Sequence, residues 1–130
     1  MSNFAGVIDL VNLNDLLIFH APVSFVSLID DHWFCVYATK NHIELFDSLA
    51  SKSKLLNNSH IVQFLCNNLI NRCLKLNRQI QSVESQLCGQ FCVVFLKLRS
   101  QGLTFDEIVE NYDINPNNND TIVNGLYQLL

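Results

Sequence analysis

The sequence predicts an α+β domain, and three observations carry that expectation. Between residues 23 and 46, β-branched and aromatic runs alternate with tight polar turns, as neighbouring strands do. From Ile61 to Cys73, apolar positions recur at helical spacing behind Asn58 and Ser59, which can cap a helix. From Leu87 to Ser100 the chain is apolar nearly all round, as a buried helix requires. With 130 residues, 49% of them hydrophobic, one compact domain suffices, and a chain of that size buries roughly two-thirds of its unfolded surface.

Taken in order, Val7 to Phe19 reads as a short helix, or a helix plus turn, ahead of Pro22. Val23 to Ile29 is a strand, Asp30 and Asp31 a turn, and His32 to Thr39 a second strand. Ile43 to Phe46 is a third strand ending at Asp47, and the tight turn at Lys40 and Asn41 makes a hairpin of the last two. The helix begun at Asn58 and Ser59 is amphipathic and lies on the sheet. Asn77 to Val83, short and partly alternating, reads as a strand that delivers Gln81 to the edge of a site. Gly102 stops the long apolar helix. Thr104 with Glu107 forms a capping box for a helix through Asn111. Asn115 to Asn119 is a polar loop, and Asp120 or Thr121 caps a last short helix ending at Leu130. There is no internal repeat.

Charge and cysteine usage narrow the functional classes. Eight Lys and Arg against twelve Asp and Glu give a net charge of −4, and the basic residues are scattered. A strong footprint for nucleic acid is missing, which leaves DNA a weakly supported partner through the modest basic stretch from Arg72 to Arg78. Five cysteines, an odd number, are simplest as reduced thiols. Met1 to Gly6 lacks the basic and apolar regions of a signal peptide, and no apolar run reaches about 18 residues. Neither secretion through a signal peptide nor a membrane association is expected. No Cys-x-x-Cys pair occurs, and Cys88 and Cys92 have no matching His or Cys pair nearby, so no metal is expected. The glycines Gly6, Gly89, Gly102 and Gly125 lie too far apart to cradle a phosphate, and no cofactor is called for.

One set of residues does carry chemistry. Cys88, followed by Gly89, falls at the start of the apolar helix, where backbone N–H groups and the helix dipole favour the thiolate, the form that attacks carbonyls. His32 opens one strand and Asp47 closes its neighbour, so antiparallel pairing brings acid and imidazole to one end of the sheet. Cys88 would attack, His32 would hold or move its proton, and Asp47 would fix the imidazole tautomer. A developing oxyanion needs donors already aimed at it, and the Gln81 amide with the Cys88 N–H is the natural pair. Trp33 and Gly89 are the substrate-binding candidates, the glycine leaving the helix entrance uncrowded. Each residue has a plainer alternative. Cys88 as a small core residue is one, a role that suits Cys92 better. His20, His42 and His60 compete with His32, Asp47 could serve a turn with Ser48, and Gln86 rivals Gln81.

In the order His32 with Trp33, then Phe46, Asp47 and Ser48, then Gln81, then Cys88, Gly89, Phe91, Cys92, Phe95 and Leu96, the chain resembles the adenovirus maturation protease (adenain) family. It also looks like the related proteases of Polinton-type elements, within the papain-like superfamily that includes the ubiquitin-like-protein-specific proteases. The resemblance implies an α+β fold with a mostly antiparallel central sheet flanked by helices, the nucleophile heading a buried central helix. It implies Cys88 as nucleophile, His32 as base, Asp47 as third member and Gln81 as oxyanion donor. A glutamine seven before the cysteine, and Leu87 where SUMO proteases typically carry an Asp, favour a viral enzyme that cleaves virion precursor proteins. Such an enzyme would work in the virion or in the nucleus or cytoplasm of a host cell.

The chain departs from the family after Ser48, with Leu49 and Ala50 where relatives often place an aromatic and a glycine. The family also implies an activating peptide joined through a disulfide, and stimulation by DNA. Cys73 lies in a loosely similar place, but its first reading is the end of an amphipathic helix face. The alternatives are a deconjugase of ubiquitin-like modifiers and a catalytically silent binding or structural module, the latter motivated by the short length.

Overall fold

The computed structural model describes residues 3–130. Along the chain run β1 (Asn3–Val7), α1 (Leu10–Leu13), β2 (Val23–Ile29), β3 (His32–Ala38), β4 (His42–Phe46), α2 (Lys52–Leu56), α3 (Ser59–Asn68) and β5 (Cys73–Leu76). Then follow α4 (Cys88–Ser100), α5 (Phe105–Glu110), a 3-10 turn (Pro116–Asn118) and α6 (Asn119–Leu129). The strands form one sheet in chain order. Its centre, β2 to β3 to β4, is antiparallel, and β1 and β5 join the two edges in parallel. The α+β class and the flanking helices match the sequence reading.

The side-chain alternation of β3 explains the layers. Phe34, Val36 and Ala38 point to a core shared with Phe25, Leu45, Ile61 and Phe64. Cys35 and Tyr37 point to a second core with Phe46, Phe91, Phe95 and Phe105. A sheet buried on both faces needs apolar residues at consecutive positions, which is why β3 reads as a nearly unbroken apolar run. Helices α1 to α3 cover one face and α4 to α6 the other.

Two contacts fix α4 on the sheet. Phe95 stacks on Phe46 of β4, with ring centroids 4.4 Å apart. In the last turn of the helix, Arg99 donates from Nε and Nη2 to the two carboxylate oxygens of Glu44, each at 2.8 Å. Glu44 is fully buried, so its charge requires such a partner. Its Oε2 also lies 2.8 Å from His42 Nε2, and the guanidinium lies over the Tyr37 ring at 4.1 Å.

Several expectations are corrected. The strand anticipated over Asn77 to Val83 does not form: the last strand is β5, and residues 77–87 are an irregular loop. Helix α3 stops at Asn68, whose amide turns back onto the Phe64 carbonyl at 2.8 Å. The chain then reverses through Asn71 at φ 64°, a left-handed conformation that asparagine tolerates. Cys73 consequently opens β5, opposite His42, rather than ending a helix face. The opening residues form β1, where no strand was anticipated, and the helix expected somewhere within Val7 to Phe19 is confined to Leu10–Leu13. The caps at Asn58 and Thr104 form as anticipated, and Gly102 follows the α4 end at φ 101°. Helix α6 begins at Asn119 with Asn118 in the cap position, two residues ahead of Asp120 and three ahead of Thr121.

Candidate active site

The register of β3 and β4 sets out the first two groups. Cys35 pairs with Phe46, so His32 at the start of β3 and Asp47 just past β4 meet at one end of the sheet. His32 Nε2 contacts Asp47 Oδ1 directly, and both residues are buried. That pairing leaves Nδ1 as the ring nitrogen available to a second group.

Asp47 is held on every side. Its Oδ1 also accepts from Leu49 N at 3.0 Å, and Oδ2 accepts from Ser51 N at 2.9 Å. The Asp47 backbone N–H donates to Asn77 Oδ1 at 3.0 Å, and Asn77 Nδ2 returns a bond to the Asp47 carbonyl at 2.6 Å. The turn closes with Ala50 N on the Asp47 carbonyl at 2.8 Å, with Ala50 itself at φ 53°. Glycine adopts that conformation freely, and alanine does so with strain. Asp47 therefore serves the turn and the histidine at once, although the sequence offered these roles as alternatives.

Cys88 is the first residue of α4, and no side chain caps that helix start. The leading N–H groups of a helix have no intrahelical partner, and here the Leu87 N–H, at the cap position, is taken by the Ser85 hydroxyl at 3.2 Å. A cleft of about 540 Å³ is lined by Cys88, His32 and Gln81, with Ser85, Gln86 and Leu49. The ring and the thiol line this cleft without a hydrogen bond between them in this structure. Among the described residues, His32 alone of the four histidines lines it. His42 is engaged with Glu44, and His60 Nδ1 with Asn14 Oδ1 at 2.9 Å. His20 lines a separate apolar cavity.

Gln81 reaches the cleft from the 77–87 loop and is almost fully buried. Its Oε1 accepts from the Ser48 hydroxyl, and its Nε2 donates to the Ser85 carbonyl at 2.9 Å. Ser48 also accepts the backbone N–H groups of Ile80 and Gln81 at its carbonyl, each at 2.8 Å. The rival Gln86 is exposed on the cleft rim. Trp33 and Gly89 line a neighbouring apolar groove of about 230 Å³ with Val7, Val26, Cys92 and Val93. A Cβ placed on Gly89 would sit 3.6 Å from Trp33 Cδ1, in ordinary contact, so the bare glycine keeps this end of the groove open.

The remaining cysteines separate by environment. Cys35 and Cys92 are buried, Cys66 and Cys73 exposed, and all five are free. Burial pushes the Cys35 thiol up, with the adjacent Cys92 and the negative Asp47 and Glu44 acting in the same direction. Among the described residues no cluster of three or more metal-ligating side chains occurs, and no helix is long and apolar enough to cross a membrane. Asn77 and Ser48 are the polar residues whose parts the sequence left unseen. Their main partners are backbone groups and an amide 30 to 33 positions away, which no local pattern encodes.

No protein-family model matches the chain, and no curated protein matches it. Among solved structures it is similar to the ASFV pS273R protease, with a TM-score of 0.51 and 14% identity over 83% of this chain. The chain spans 42% of that protease's length. The central domain of the Lpg1148 protein from Legionella pneumophila superposes with a TM-score of 0.49 and 14% identity, over 98% of this chain and 85% of that one. At 14% identity this likeness speaks to fold alone: the chain shares its α+β fold with the ASFV pS273R protease, and no branch of proteases is singled out by it.

Proposed function

We propose that the chain is a cysteine endopeptidase, of viral or mobile-element origin, that cleaves virion precursor proteins. The observation that carries this reading is the buried His32–Asp47 pair sharing a cleft with Cys88 at an uncapped helix start. Cys88 Sγ attacks the scissile carbonyl carbon while its proton passes to His32 Nδ1. Asp47 stabilises the resulting imidazolium through Nε2. The carbonyl oxygen, now negative, takes hydrogen bonds from the Cys88 N–H and the Gln81 side chain. Collapse breaks the C–N bond, His32 returns the proton to the leaving amine, and water then hydrolyses the thioester.

In this reading Trp33 and Gly89 belong to the substrate groove, and its apolar walls receive an apolar side chain next to the scissile bond. The fold likeness to a protease of ASFV supports a viral setting, and the resemblance in the order of the site residues supports a structural-precursor substrate. The test is hydrolysis of the capsid precursors encoded with the protein, by wild type and by Cys88→Ala. Cleavage by the wild type alone is expected, and equal cleavage by both overturns the assignment. A ubiquitin-like probe with an electrophilic C-terminus that labels Cys88 would move the substrate class to modifier conjugates.

A further inference from the structure

The amide of a glutamine presents one acceptor and two N–H donors, and which edge faces a substrate decides whether it can stabilise an oxyanion. In Gln81 the accounting is nearly complete. Oε1 is taken by the Ser48 hydroxyl, and one N–H by the Ser85 carbonyl at 2.9 Å. One N–H is left, on a residue that lines the cleft with Cys88. Reversing the amide would set its oxygen against the Ser85 carbonyl, two acceptors face to face, and would leave the buried Ser48 hydroxyl accepting from the amide with its own proton deprived of the Gln81 Oε1 acceptor. Both serine contacts therefore choose the same orientation.

Ser48 is suited to the task because it is enclosed and bonded through both its backbone and its side chain. It is fully buried, its carbonyl accepts two N–H groups of the Gln81 loop, and it directly follows Asp47. Ser85 is fixed in turn, with its hydroxyl donating to Asp120 Oδ1 at 2.7 Å and accepting from Leu87 N at 3.2 Å, just ahead of Cys88. Resting on the peptidase reading above, we infer that Ser48 is a positioning residue. Its hydroxyl holds the Gln81 amide with an N–H, rather than its oxygen, presented to the carbonyl oxygen of the substrate.

The experiment compares two reactions of the same thiol. Acylation by p-nitrophenyl acetate, read as a burst of p-nitrophenolate and corrected with Cys88→Ala for the exposed Cys66 and Cys73, passes through an oxyanion. Alkylation by iodoacetamide, read at the Cys88 peptide by mass, does not. Loss of an oxyanion donor costs about 10²-fold, so Gln81→Ala is expected to slow acylation by about that factor and Ser48→Ala by about tenfold. Neither should slow alkylation by more than about twofold. In the Gln81→Ala background, Ser48→Ala should add nothing, since partners acting through one interaction are non-additive.

If Ser48→Ala leaves acylation unchanged, or slows both reactions alike, or adds its full effect in the Gln81→Ala background, the positioning role is wrong. A wild-type burst no larger than that of Cys88→Ala would instead overturn the peptidase reading itself.

Discussion

Asn77 carries no reacting group, yet it grips the Asp47 backbone by both its N–H and its carbonyl. Replacing it with alanine leaves the Asp47 N–H, buried beside the histidine pair, without a partner, while the Asp47 carbonyl keeps its bond from Ala50 N. Such a loss costs roughly 1–3 kcal/mol. Asn77→Ala is therefore expected to lower stability by about 2 kcal/mol in urea unfolding and to slow iodoacetamide labelling of Cys88 at native conditions; unchanged values of both would show the grip to be idle. The sequence made His32 and Asp47 legible because one is the first residue of a hairpin arm and the other follows the last. Cys88 was legible because an apolar helix pattern begins there. Gln81 was reached by its type and its distance from Cys88, through a strand that does not exist. What placed it is the Ser48 carbonyl, and backbone partners leave no trace in residue identity.

The helix starts at Asn58 and Thr104 were read well, because a cap is a short-range device spelled out in adjacent letters. Thr104 and Glu107 show it most fully: the Thr104 N–H donates to Glu107 Oε1 at 2.9 Å and the Thr104 hydroxyl accepts from Glu107 N at 3.1 Å. The Thr104 backbone N–H first, and the Thr104 side chain second, hold the Glu107 carboxyl below its ordinary range. A depressed carboxylate contributes stability that is present above its unfolded value of about 4.3 and is lost as pH falls through the folded value. Glu107→Gln is thus expected to melt below the wild type at neutral pH, with the gap closing in acid. A gap of constant size in thermal melts down to about pH 3 would contradict this. The parallel edge strands were missed, as was the short helix α2. β5 reaches its place beside β4 only after α2 and α3 intervene, and β1 meets β2 across α1 and a long connection. A hairpin announces its partner by proximity, whereas a crossover strand announces nothing. The local pattern was therefore spent on the wrong stretch.

At the scale of the whole molecule, the sheet separates two cores, and the site sits where β3, β4, the 77–87 loop and α4 converge. The core behind it depends on Phe95, fully buried, stacked on Phe46 and edge-on to Phe105 at 5.9 Å. Phe95→Ala is expected to cost about 3–5 kcal/mol, measured by urea unfolding, and a loss below about 1 kcal/mol would mean that this face of the sheet collapses around the gap. One further consequence belongs to the end of β4. In the proposed reaction a positive ring and a negative oxygen appear together, and their mutual distance governs how well each is met. Asp47 meets the positive pole directly, and Ser48 steadies the group that meets the negative one. Two opposite poles are thus hung from a single peptide unit. Any shift of that strand end would carry both together.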